Sequence, residues 1–349
     1  MKAPVRRDWL ALAGLAAAGL AVAPIRQTFR PDGFAFGING HPLMQAAYSY
    51  EPPAAEEQFD LLDSLRTPWY RVDVIPDSAG VVDQRFVELA RAAGRRGINL
   101  LPVLTVGPRA GASAPAAYAE GLAIGGGFAL RYADRFSHIE AGNEMDKWPL
   151  ASGSGGDGSS LSQYDPDSLA VVTAFLRGMT RGIRQAAPRV RIIINAAGWR
   201  HWAFFDALAR DTVDYDIVGY HWYSDMGGID QPIDGGKSAL DHLYDLHKDI
   251  WMTEVGYRPT VPDDSVGQGR WIADCVSDFY RFRRVKALFV YELYEQRDFL
   301  VNPDSRDDPE ALYGLVGCPD DPSGCAGAKR PKPAFHAYRR AISERTSAH

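Results

Sequence analysis

Two glutamates stand at the ends of short apolar runs. Glu144 closes the stretch HIEAGNEMDKW (138–148), just behind Gly142 and Asn143, and Glu254 stands in DIWMTEVG (249–256). One such carboxylate is most simply a solvated loop group. Two of them facing each other are a different matter, because one can be kept protonated while the other is kept ionised, which is what acid/base and acid/nucleophile chemistry requires. Other groups able to take part sit at comparable places: Arg71 and Asp73 in PWYRVDVI, His221 and Tyr223 in YDIVGYHWY, and Tyr291, Glu292 and Tyr294 in KALFVYELY.

These residues need a scaffold that brings distant strand ends together. Strand candidates fall at 34–40, 68–75, 98–105, 137–143, 190–197, 215–223, 249–256 and 286–294. Most are short apolar runs without clean alternation, as expected of parallel strands covered on both faces. Amphipathic helical patterns lie at 54–65, 82–97, 168–187, 202–210, 238–247, 269–285 and 332–343, with Asp83 as an N-cap and Gly97 as a stop for the second. Alternating βα units imply right-handed crossovers and a parallel sheet. Eight of them in this length give an α/β chain folded as a single (β/α)₈ TIM barrel. The alternative is an open doubly wound sheet, which would carry a glycine-rich phosphate turn after an early strand; GINGHP after the first strand does not have that form.

In a barrel the C-terminal ends of all strands share one mouth. The fourth and seventh strands lie across it from each other, so Glu144 and Glu254 are expected to face each other over a cleft. Glycoside hydrolysis needs such a pair: one carboxyl protonates the leaving oxygen, and the other attacks the anomeric carbon or activates water.

The arrangement resembles the clan A glycoside hydrolases, in a family 39-like or family 5-like form. GNEMD is similar to the clan's Asn-Glu motif on strand four, WMTEVGY to its strand-seven nucleophile motif, YHWY to its strand-six His-x-Tyr and YRVDV to its strand-two arginine; LYGLVG…KPAFHAY is similar to the ending of these enzymes. The resemblance covers most of 34–343. Two positions depart from the pattern: Met145 follows Asn-Glu where Pro is frequent, and VYELYE stands where the eighth strand commonly supplies Trp. The resemblance implies a retaining enzyme that cleaves β-glycosidic bonds of a polysaccharide or oligosaccharide, with Glu144 as acid/base and Glu254 as nucleophile.

Chemistry then suggests roles for the neighbours. Glu144 must be protonated near working pH, so a raised pKa is expected for it. Arg71 and Tyr223 would hydrogen-bond Glu254 and keep it anionic. Asn143 would bind the sugar 2-hydroxyl, and His221 would hold a carboxylate or a sugar hydroxyl. Trp148, Trp199 and Trp202 would each either stack on a sugar face or belong to the core, with Tyr291 as a further platform. Trp222, alternating with His221 and Tyr223, is expected to point out toward the helices. Plainer readings exist for each: an Arg71–Asp73 ion pair, a Glu254–Arg258 salt bridge, His221 and Tyr223 as core residues. At the level of the whole chain the alternatives are a non-catalytic carbohydrate-binding barrel accessory to polysaccharide assembly or export, and a metal-dependent hydrolase. The latter would want a His-x-His pair on the first strand, which reads FGINGH.

The chain has 349 residues, 46% hydrophobic and 23% charged, with a net charge of −6. This is globular composition with no long basic run, so nucleic acid is not an expected partner. No cofactor and no metal are expected, and a monomer acting on carbohydrate is. The N-terminus reads as a positive region (Lys2, Arg6, Arg7) followed by an uncharged apolar stretch from Trp9 to Ala23. Fifteen residues are short of a membrane span, and RRDWL resembles a twin-arginine export signal. Residues 1–28 are therefore expected to be an export signal or retained anchor, 29–349 the catalytic domain, and the location periplasmic or secreted. CPDDPSGC places Cys318 and Cys325 in a polar loop, as a short disulfide or two free thiols.

Overall fold

The structure is a computed structural model and describes residues 33–43, 54–150, 157–233, 235–259, 264–296, 309–317 and 330–346. Residues 1–28, Cys318, Cys325 and parts of the loops after the fourth and eighth strands lie outside them. Among the described residues, no helix is long and apolar enough to cross a membrane.

Eight parallel strands close into a barrel in chain order: β1 (Ala35–Gly40), β2 (Trp69–Val74), β3 (Asn99–Leu104), β4 (His138–Ala141), β5 (Arg191–Ala196), β6 (Ile217–Tyr223), β7 (Asp249–Gly256) and β8 (Val285–Val290). The connecting helices are α1 (Ala55–Leu65), α2 (Gln84–Arg96), α3 (Ala114–Tyr132), α4 (Pro166–Ala186), α5 (Ala203–Arg210), α6 (Ala239–Asp245) and α7 (Ser265–Arg281), and α8 (Pro333–Thr346) follows the barrel. A two-stranded piece, β9 (Val316–Gly317) with β10 (Arg330–Pro331), sits before α8. Strand parity sorts the side chains into two layers. Ala35, Trp69, Leu101, Ile193, Ile217, Trp251, Ala287 and Phe289 fill the lower barrel interior. A larger core lies between strands and helices. Trp222 belongs to that outer core, as its alternation with His221 and Tyr223 implies.

The sequence reading has no helix between the third and fourth strands, and the structure has α3 there. Its segment is rich in Ala and Gly, so it shows little apolar periodicity. Its stability comes from contact instead. A Cβ at Gly121 would lie 2.1 Å from the Phe175 carbonyl oxygen, and one at Gly178 would lie 2.1 Å from that of Tyr118. Glycine lets the α3 and α4 backbones touch, which no larger residue permits.

One irregularity matters for the site. The register of β7 against β6 runs Tyr220↔Met252 and then His221↔Glu254; against β8 it runs Met252↔Leu288 and then Val255↔Val290. Between Met252 and Val255 β7 thus carries one residue more than both neighbours, a β-bulge. With Trp251 inside the barrel, strict alternation would turn Glu254 outward. The extra residue, Thr253, turns it in.

Candidate active site

The upper interior of the barrel is polar. Arg71, inward-facing on β2 two residues above Trp69, is buried at its centre. Its Nε donates to Glu140 Oε2 at 2.6 Å, its NH1 to Glu254 Oε1 and Asn39 Oδ1 at 2.7 Å each, and its NH2 to Asn143 Oδ1 at 2.7 Å. The Tyr223 hydroxyl donates to Glu254 Oε2 at 2.7 Å. Glu254 therefore has a donor on each oxygen, so the charge it bears is oriented as well as balanced. Arg71 does not pair with Asp73, and Glu254 does not pair with Arg258. Asp73 accepts from His41 at 2.5 Å and from Thr105, and Arg258 reaches Asp225 while lying over the Tyr223 ring.

Glu144 follows the end of β4 with φ of +47°, in the left-handed region. A non-glycine residue there is held by its surroundings. Its N–H donates to Asn195 Oδ1 at 2.7 Å, and Asn195 Nδ2 donates in turn to Glu140 Oε1 at 2.6 Å. The 3₁₀ turn Met145–Lys147 comes next. Buried Asp146 pins this turn by accepting from the Ala197 N–H and pairing with His201.

His221 joins the two carboxylates. Its Nδ1 lies 2.9 Å from Glu144 Oε1 and 3.3 Å from Glu254 Oε2. These donor atoms of Glu144, His221 and Glu254 all lie within 4.8 Å of one another. Such compactness would also suit a metal ion, but Arg71 and Lys147 already place positive charge on the two carboxylates and would compete with one. Lys147 Nζ is 2.9 Å from the other Glu144 oxygen, Oε2.

This surrounding reverses the expected proton affinity of Glu144. Burial pushes its carboxyl up, but the hydrogen bond and charge of His221, together with Lys147, outweigh burial and hold it well below the usual carboxylate range. His221 moves the other way: burial pushes it down, while the Glu254 charge and the Glu144 bond raise it above its ordinary value.

A second polar cluster flanks Glu254 on the β1, β2 and β8 side. His41 Nε2 lies 3.1 Å from the Tyr291 hydroxyl and 3.2 Å from Glu292 Oε2. Gln296 donates to Tyr291 and Glu292. Glu292 is fully buried, and burial raises its carboxyl above the ordinary value despite His41.

The structure therefore brings together Arg71, Asn143, Glu144, His221, Tyr223 and Glu254, with Tyr291 packed against Tyr223 and Tyr313 at the same mouth. Asn143 accepts at Oδ1 from Arg71 and Asn195, which leaves its amide nitrogen as donor to a ligand. The tryptophans separate. Trp148 and Trp199 are 55% and 44% exposed, whereas Trp202 is buried, with its ring stacked on His242 at 4.1 Å. Trp202 is core rather than platform. Sequence reasoning missed Glu140, Asn195, Asn39 and His41. Glu140 had a signal: it shares the parity of His138 inside an apolar strand, where a charged side chain must have a buried partner.

No family model matches the chain, and no curated protein matches it. Solved structures do. Virulence factor SghA from Agrobacterium tumefaciens is 15% identical with a TM-score of 0.57, over 90% of this chain and 97% of that one. The family 1 β-glucosidase from Thermotoga maritima is 13% identical with a TM-score of 0.60, over 90% and 98%. The chain has their fold. The GH53 catalytic domain of Ignisphaera aggregans matches equally well, at 16% identity and a TM-score of 0.58 over 91% and 98%. Each is spanned almost end to end, so the likeness extends to the whole barrel.

Proposed function

We propose that the protein is a retaining glycoside hydrolase that cleaves β-glycosidic bonds in a polysaccharide or oligosaccharide by double displacement. The observation that carries this reading is the pair of carboxylates at the barrel mouth, Glu144 and Glu254, within 4.8 Å of each other through oxygens that share His221. Oxygens that near each other are compatible with the ~5–5.5 Å carboxyl separation of a retaining pair, whereas an inverting pair stands ~6.5–9.5 Å apart to admit a water. The likeness to β-glucosidase folds supports the same reading.

The residues divide the work as follows. Glu254, fixed by Arg71 and Tyr223, attacks the anomeric carbon as the bond to the leaving oxygen breaks. Glu144 gives that oxygen a proton. In the second step Glu144 takes a proton from water, whose oxygen displaces Glu254 from the sugar. The Asn143 amide meets the 2-hydroxyl, a contact that strengthens as charge develops. The reading includes export through residues 1–28 and action as a monomer outside the cytoplasm, which cell fractionation and gel filtration test.

The decisive experiment is a β-glycan and β-glycoside panel with product anomers followed by NMR. Retention in the wild type is expected, with hydrolysis abolished in Glu254→Gln and Glu144→Gln while both stay folded. Full activity in either variant sinks the assignment. Sugar binding without turnover across the panel would favour a binding protein instead.

A further inference from the structure

Both oxygens of Glu144 are occupied by cationic or potentially cationic groups, and the two partners differ in mobility. His221, on Oε1, is fully buried at the end of β6. Lys147, on Oε2, has a side chain 57% exposed. An acid that protonates a leaving group needs one oxygen free to bear the proton and face the substrate. Oε1 cannot be released without moving a buried ring. Oε2 is released when one exposed side chain swings away. The pair is open to solvent on its lysine side, where an ion pair contributes little, so a competing anion displaces the ammonium readily.

The Met145–Lys147 turn itself stays put, because buried Asp146 anchors it to Ala197 and His201. The next residue is Trp148, half exposed, its indole lying against Gly107 in the loop after β3, where a Cβ would come 2.0 Å from the ring. Trp199, at the end of β5, is presented with φ of +52°, and its carbonyl accepts from the Tyr220 hydroxyl. Lys147 therefore lies on the solvent side of Glu144, on the same rim as two exposed indoles and away from the β1/β2/β8 cluster.

We propose that Lys147 selects an anionic aglycone: a carboxylate on the leaving-group sugar draws its ammonium off Glu144 Oε2 and so frees that oxygen to carry the proton. This rests on the glycosidase reading above and names its substrate class, a β-linked glycan with an acidic sugar, uronate-like in chemistry, on the reducing side of the cleaved bond. With a neutral aglycone Lys147 stays on Oε2 and disfavours protonation of Glu144 from solvent, which slows turnover without stopping it.

The test uses matched β-linked disaccharides of the accepted glycone, ending in a uronate or in its carboxyl-reduced counterpart. Wild type, Lys147→Met and Lys147→Arg are compared by kcat/KM at two ionic strengths. Wild type is expected to favour the uronate by about tenfold or more, the scale of a charge-assisted hydrogen bond, and to lose part of that preference in high salt. Lys147→Met should bring the ratio to about one, and Lys147→Arg should keep most of it. An unchanged ratio in Lys147→Met, or a wild type indifferent to the carboxylate, overturns the inference and leaves the glycosidase reading intact. A wild type that hydrolyses neither member, for any glycone, overturns both.

Discussion

Arg71 reaches Glu254 across 2.7 Å because β7 carries one residue more than its neighbours above Met252. The same guanidinium bonds Glu140 at 2.6 Å, so one buried cation offsets two buried carboxylates. Removing one partner of such a pair strands uncompensated charge. Arg71→Met is expected to cost about 3–5 kcal/mol of folding stability, measured by urea unfolding. Adding Glu140→Gln to it should cost less than the sum of the single changes, since the two share the interaction.

Glu140 is linked to both Glu254 and Glu144 through a single intervening residue each. It holds Arg71, which orients Glu254, and Asn195, which accepts the Glu144 N–H. Gln in its place keeps the shape and drops the charge. Glu140→Gln should lower kcat by about 10²-fold, the cost of a small misplacement of reacting groups, with KM little changed. A large rise in KM with unchanged kcat would contradict this positioning role.

The strands were legible because burial on both faces writes itself as short apolar runs, and every expected strand overlaps an observed one. The helix from Ala114 to Tyr132 was not, because its stability lies in backbone contact with α4 rather than in an apolar stripe. Nor was the bulge at Thr253: a register shift is a property of three strands together, and nothing in WMTEVG marks it. Glu144 and Glu254 could be placed at strand ends, but Glu140 and Asn195 act through partners far away in sequence, which only the closed barrel brings near.

The α3–α4 contact gives its own prediction. Gly121→Leu forces a side chain into space held by the Phe175 carbonyl. Overpacking of this kind costs about 1–3 kcal/mol or more, so the melting temperature should fall by several degrees. An unchanged melting temperature would mean that the helices are not in backbone contact.

The Glu144–His221 pair makes stability depend on pH in a definite sense. Glu144 is depressed in the fold, so its contribution is full above its unfolded value, about 4.3, and is lost as pH falls toward the folded value. His221 is raised, so its contribution is full below about 6.5 and is lost as pH rises through its folded value. Both are complete only between those limits. The difference in unfolding free energy between wild type and His221→Asn should therefore peak near pH 5–6 and shrink on either side. A flat difference would show that the pair is not charged.

The tryptophans offer a contrast between stability and binding. Trp202 is buried, stacked on His242, and donates its Nε1 to the Ser159 carbonyl. Trp148 is half exposed at the mouth. Trp202→Ala should cost about 3–5 kcal/mol of stability. Trp148→Ala should cost little stability, because most of its surface is already in water. Under the proposed function its effect is expected in KM for longer substrates, with activity on a simple aryl β-glycoside nearly unchanged. Thermal denaturation and a comparison of long and short substrates separate the two. Loss of stability in Trp148→Ala without a change in KM would make it a packing residue like Trp202.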